Sequence, residues 1–196
     1  MTFIHLFYSF FKLHYKIFVD GQLKADNVLG NQPTFTNVKV YASDDWYAAA
    51  DATINDLCFE TSKTESVNVP ECSNPQYPGI LQVEKNKLLT ILHNWGTEWT
   101  INFGLVVKSY PQGWVSVLHF TTERDCCGVG DRIPFVKLEN KEILFINAVN
   151  GDGNHITRVP YAENREYSIS ISQVLVDNQV SKINIISISN VNLNMI

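Results

Sequence analysis

Charge is scarce in this chain of 196 residues, and what there is does not cluster. Asp, Glu, Lys and Arg together make 18% of the residues, below the usual share of about a quarter. The formal net charge is −5. Phosphate binding needs clustered Lys and Arg, so a nucleic acid is excluded as a partner. The densest basic pair, Lys85 and Lys87, sits in a turn. No apolar run is long enough to cross a bilayer. No segment sustains a helical period, and there is no βαβ alternation. Cysteine never occurs as C-x-x-C, which excludes a zinc ribbon or a thioredoxin-type motif. His5, His14, His93, His119 and His155 form no H-x-H or H-E-x-x-H set, and no G-x-S-x-G elbow is present.

What the chain has is apolar and aromatic side chains in short runs, 45% hydrophobic and 12% aromatic overall. That is ample for one well-packed domain and favours strands. Tyr15, Ile17 and Val19 alternate with Lys16 and Phe18, and Asp20-Gly21 follows as a hairpin turn. Val38-Lys39-Val40-Tyr41 is a short strand, and residues 54–59 form another. Trp99, Ile101, Phe103, Leu105 and Val107 share one face of a strand, with Thr100, Asn102 and Gly104 on the other. Residues 114–120, 135–138 and 143–149 read as strands, as do the alternating residues 167–172. Ile183 and Ile185 are out of phase with Ile186 and Ile188, which a bulge would correct. About a dozen strands without helices predict an all-β protein of two packed antiparallel sheets. The stretch from 113 to 135, strand, cysteine-bearing loop and strand, is the centre around which the rest packs.

Residues 61–84 are rich in Pro, Gly and small polar residues and read as a linker or long surface connection. Residues 1–11 are apolar but lack a basic start and a small-x-small cleavage site, so they are expected to extend the Tyr15–Val19 strand as a buried edge. The four cysteines, Cys58, Cys72, Cys126 and Cys127, allow two readings. Either Cys126 or Cys127 pairs with Cys58 or Cys72, as suits a secreted protein, or all four are thiols.

Catalysis finds little support. Glycoside hydrolysis needs paired carboxylates projecting from one strand face. Glu139 and Glu142 flank a turn and Glu163 and Glu166 precede a strand, so solvated surface accounts for them. His119, inside an apolar strand, reads as a hydrogen-bonded packing histidine. The loop acids Asp44, Asp45, Asp125, Asp131 and Asp152, with Asn154, are the oxygen ligands a Ca²⁺ ion could take. Against that, Asp131 could pair with Arg132 or a loop amide, and Asp44 could cap the turn before Trp46. Trp99 and Trp114 sit on strand faces and are expected in the core. Trp46, Tyr47 and Trp95 lie in loops, where an aromatic ring can cover the apolar face of a sugar.

Asn94-Trp95-Gly96, Trp99, Gly113-Trp114, Val117-Leu118-His119-Phe120, Cys126-Cys127, Gly130-Asp131-Arg132-Ile133-Pro134 and Ala148-Val149-Asn150-Gly151 occur in this order. The series resembles a concanavalin A-like, laminin G-like jelly-roll repeat of invertebrate extracellular proteins. Ile17-Phe18-Val19-Asp20-Gly21, Phe35, residues 37–44, Trp46-Tyr47 and Ala50-Asp51 resemble the C-terminal third of the same repeat. In such a repeat that third comes last, whereas here it comes first. Residues 1–60 are then a C-terminal-like part, 61–84 the linker, and 85–196 an N-terminal-like part. The chain is either cut from a tandem array or one circularly permuted sandwich, and closing the exposed edges favours the sandwich. The resemblance implies an extracellular, non-enzymatic recognition or adhesion module for a glycan or matrix protein, or a structural repeat that assembles with its neighbours. It places ligand contacts at Trp46, Tyr47 and Trp95, and a calcium ion, if there is one, at Asp125, Asp131 and Asp152.

Overall fold

Alternating apolar residues can be buried only if each strand turns one face to a partner layer, and two sheets do this here. The computed structural model describes residues 10–30, 32–61, 75–122, 124–125, 128–149 and 152–178. Thirteen strands follow one another: β1 (Phe10–Val19), β2 (Gln22–Leu29), β3 (Val38–Tyr41), β4 (Ala48–Ala49), β5 (Ala52–Thr61), β6 (Tyr77–Gln82), β7 (Leu88–Leu92), β8 (Trp99–Val107), β9 (Val115–Thr121), β10 (Phe135–Glu139), β11 (Glu142–Val149), β12 (Asp152–Pro160) and β13 (Glu166–Asn178). One sheet has the order β2-β1-β13-β8-β5-β6. The other runs β12-β11-β10-β9-β3-β7, with β4 beside β9. Every pairing is antiparallel except that of β4 with β9. The protein is therefore an all-β antiparallel sandwich, with the cross-sheet winding expected of a jelly roll. Residues before and after the 62–74 stretch contribute strands to both sheets: β3 lies between β7 and β9, and β5 between β6 and β8.

The turns follow local chemistry. Asp20 (φ 51°) and Gly21 (φ 71°) are the two central residues of the β1–β2 hairpin, both in the left-handed region that a tight hairpin needs. Asn140 and Lys141 make the same two-residue connection between β10 and β11, with φ of 47° and 68°. Inward faces then interlock. Tyr15, Ile17, Ile54, Ile101, Leu105, Ile171, Val38, Val40, Leu118, Phe120, Val136 and Phe145 are all fully buried.

Several expectations change. The N-terminal strand is not an edge: β1 lies between β2 and β13, and residues 1–9 are outside the described residues. The connection expected over 61–84 is shorter, because Thr61 ends β5 and Tyr77–Gln82 form β6. Pro78 and Gly79 are tolerated there because β6 is an edge strand, whose outer N–H groups have no ladder partner to lose. The Gly79 N–H instead donates to Asp56 Oδ1 at 2.7 Å. Asp56 is an extra residue in β5, at φ 48°, where the pairing slips between Asn55 and Cys58. The bulge keeps Ile54, Leu57 and Phe59 all facing inward. The bulge expected near Ile185 lies outside the described residues.

Trp95 is the largest departure. It is 1% exposed rather than in an open loop. Phe35 and Trp95 exchange backbone hydrogen bonds of 2.9 and 2.8 Å, which draws the loop inward. Its ring stacks on Trp99 at 5.6 Å and meets Phe120 at 5.3 Å. Trp95→Ala should therefore cost about 3–5 kcal/mol, the range for emptying a buried aromatic site, read as a lowered urea midpoint. An unchanged midpoint would place the ring outside the core.

Candidate functional site

The outer face of the second sheet is where buried polar and charged groups collect. In β10, Val136 and Leu138 join the main core, so Phe135 and Lys137 face the other way. The register sets His119 of β9 opposite Phe135, with Ile146 of β11 on the other side, and Leu144 opposite Lys137. Phe135, Leu144 and Ile146 make a small second apolar cluster, with Tyr47 and Ile156 packed on it. A slip in the β9–β10 ladder, between Val136 and Lys137, makes Val117 an extra residue in β9. Val117 and Leu118 both enter the core. The phase of the strand before them is thereby reversed, so Ser116 faces Lys137 and Trp114 turns outward. Trp114 is 39% exposed, not the core residue expected.

Residues 43–50 cover this face. Ser43 N–H donates to the Val117 carbonyl and Ala50 N–H to that of Ser116, both at 3.0 Å. Asp44 N–H donates to Ser116 Oγ at 3.3 Å. Asp44 Oδ1 accepts the Tyr47 N–H at 3.2 Å, the turn-capping role expected of it. Its Oδ2 lies 2.8 Å from His119 Nδ1, and both side chains are wholly buried. His119 Nε2 is 2.7 Å from the Asp131 carbonyl oxygen. The carbonyl can only accept, so Nε2 donates to it. His119 also stacks on Phe135 at 3.9 Å, and Trp46 meets its edge at 5.8 Å.

Next to this lies a second set. The Tyr47 hydroxyl donates to Asp125 Oδ2 at 2.9 Å. Arg132 Nη2 is 3.6 Å from Asp125 Oδ1, and its Nε donates to the Asp125 carbonyl at 2.8 Å. Burial, then the hydrogen bond to Asp125, pushes the Tyr47 phenol up to about 12. Lys137 is fully buried, and its Nζ has no hydrogen-bond partner. That nitrogen lies 3.1 Å from the centre of the Tyr47 ring, 4.4 Å from that of Phe135 and 4.6 Å from that of Trp114. Burial, and then the Arg132 charge, lowers its pKa to about 7. Trp114 Nε1 donates to Glu139 Oε1, and Glu139 and Glu142 both accept from Arg158.

Of the expected ligand contacts, Trp46 and Tyr47 are here, Trp46 43% exposed and Tyr47 half-buried. Trp95 is in the core. Of the expected calcium ligands, Asp125 is held by Tyr47 and Arg132, and Asp131 Oδ2 accepts the Gly128 N–H at 2.7 Å. Asp125 Oδ1 accepts no hydrogen bond and lies 3.6 Å from Arg132 Nη2. Asp45 is exposed. Asp152 opens β12, and its side chain, like that of Asn154, lies outside what the structure describes. Among the described residues no group of three or more His, Cys, Asp or Glu could hold a metal ion. A rim groove of about 560 Å³ lies alongside, with Phe35, Asn37, Thr122, Arg124, Val129 and Asp131 in its lining. Lys137 and Trp114 were not legible as site residues. The only sign of Lys137 is one cation between apolar neighbours in Phe135-Val136-Lys137-Leu138.

No protein-family model, curated protein or solved structure matches this chain.

Lys137 has a consequence for stability. The unfolded chain keeps the lysine proton up to the ordinary value of 10.5, while the folded chain releases it near 7. Between these values the unfolded state binds more protons, so stability rises with pH. The urea midpoint should climb from pH 7 to 9.5, with a slope approaching about 1.4 kcal/mol per pH unit. In Lys137→Met it should start higher and stay nearly flat. A flat wild-type profile would show that the amine is solvated.

Proposed function

We propose that the protein is a non-enzymatic, extracellular recognition module of concanavalin A-like kind that binds a glycan on the outer face of its second sheet. The observation that carries this reading is a row of aromatic rings whose ends are exposed and whose middle is buried. It runs Trp46, His119, Phe135, Tyr47, Trp114, with neighbouring ring centres 3.9 to 6.3 Å apart. An exposed indole covers the apolar face of a pyranose, and a buried, hydrogen-bonded row behind it fixes the ring in place.

Polar contacts are at hand. Asp131 accepts from His119 through its carbonyl and also lines the rim groove, whose Asn37, Thr122 and Arg124 carry hydrogen-bonding groups. Asp131 thus links the groove to His119. The acids on this face favour binding over hydrolysis. Asp44 is bound to His119, Asp125 to Tyr47 and Arg132, and Glu139 to Trp114 and Arg158. A hydrolase needs one carboxyl group to give up a proton and another to face the sugar. Cys58 is buried, and a disulfide formed from it would suit an oxidising exterior.

The test is a glycan array on the full chain, followed by tryptophan-fluorescence titration of any hit. Trp46→Ala and Trp114→Ala should each weaken binding roughly tenfold, the value of one aromatic stacking contact. Circular dichroism should show the fold retained. An array without a hit, or a double variant that binds as well as wild type, would overturn the reading.

A further inference from the structure

We propose that Lys137 is a carbonyl-capturing amine, a site at which a small aldehyde forms an imine inside the enclosure made by Tyr47, Trp114 and Phe135. The argument does not depend on glycan binding. It begins with a buried amine in contact with aromatic rings. Lys137 is wholly buried, its Nζ has no hydrogen-bond partner, and three aromatic rings surround that nitrogen. No carboxylate hydrogen-bonds to it. The carboxylates around it are committed elsewhere: Asp125 to Tyr47 and Arg132, Asp44 to His119, and Glu139 to Trp114 and Arg158.

An amine becomes a nucleophile at neutral pH when it is desolvated or placed beside another cation. Lys137 has both conditions, burial first and Arg132 second, against opposing effects from Asp125, Asp44 and Glu139. Tyr47, the remaining titratable group in contact, is held neutral at this pH by burial and by Asp125. With its pKa lowered to about 7, the amine carries a far larger uncharged fraction at pH 7.5 than an exposed lysine does.

The chemistry balances without a co-reactant. The nitrogen lone pair attacks the carbonyl carbon, and the C–N bond forms as the C=O π pair moves to oxygen. A proton passes from nitrogen to that oxygen, giving a carbinolamine. Loss of the hydroxyl group with one further proton, as water, leaves the imine. The aromatic walls, with Leu144 paired opposite Lys137, suit an apolar carbonyl compound. Entry is past Trp114, the one wall that is 39% exposed, which stands after Gly113 (φ 131°) and is latched by its hydrogen bond to Glu139.

The experiment treats the full chain with propanal and sodium cyanoborohydride, which reduces the imine to a stable alkylamine, and maps labelled lysines by peptide mass spectrometry. At pH 7.5 Lys137 should label on the order of tenfold faster than the exposed Lys24, Lys85 or Lys108, because its free-amine fraction is far larger even after allowance for weaker basicity. Its rate should level off above pH 7 to 8, while those of surface lysines keep rising toward pH 10. Trp114→Ala, with its fold checked by circular dichroism, should label several-fold faster still. If wild-type Lys137 labels no faster than the surface lysines, or its rate follows their pH profile, the proposal is overturned. An unaccelerated Trp114→Ala would overturn Trp114 as the point of entry.

Discussion

The side chains of His119 and Asp44, both fully out of water, hold the outer face of the second sheet together. Buried polar groups are tolerated only where they find hydrogen-bond partners. At His119 and Asp44 they do: the ring lies between Asp44 and the Asp131 carbonyl, and the second carboxylate oxygen takes the Tyr47 N–H. The pair thus fixes residues 44–47 against β9 and residue 131 against the same strand. The positions of Trp46, Tyr47 and the rim groove follow from it. Tyr47 in turn closes over Lys137 and reaches Asp125, so one buried pair passes its order outward through successive side chains.

This arrangement explains why the second sheet has apolar residues on both faces. Leu144, Ile146 and Phe135 would be exposed if only one side of the sheet were packed. The loop over residues 43–50 and the indole of Trp114 provide the cover, and what they cover is a mixture of apolar rings and paired charges. The outer face of the first sheet differs. Ser168 is exposed, Ser170 and Asn102 are half-buried, and polar groups dominate there. The two outer faces therefore differ in their chemistry.

The strands and their inward faces were legible because alternation is a strong signal wherever a strand is regular. β8 shows it: Ile101, Phe103, Leu105 and Val107 are buried, while Asn102, Gly104 and Val106 are half-buried. The Asp20-Gly21 hairpin, the Asp44 turn cap, the Asp131 loop-amide contact and the packed His119 were also readable, because each is decided by residues close in sequence or by one residue type in an apolar strand. What was not readable depends on bulges and on distant cover. Simple alternation puts Trp114 on the face of Leu118 and Phe120. The extra residue at Val117 reverses that, and nothing in Trp114-Val115-Ser116-Val117-Leu118 announces it. Trp95 was assigned to a loop correctly, but its burial depends on a bridge to Phe35, far away in the chain. Lys137 is enclosed by rings at positions 47, 114 and 135, a convergence that only the folded topology creates.

The position of β1 bears on how the chain is made. Its ten residues pair with β13 from Phe10 opposite Asn178 to Val19 opposite Ile169. A ribosome therefore releases the N-terminal hairpin well before the strand that completes it exists. Until then one long side of β1 is an unpaired edge, open to the wrong neighbour. Closure across so much intervening sequence is entropically slow, and Tyr15, Ile17 and Val19 lack their β13 neighbours until that strand arrives.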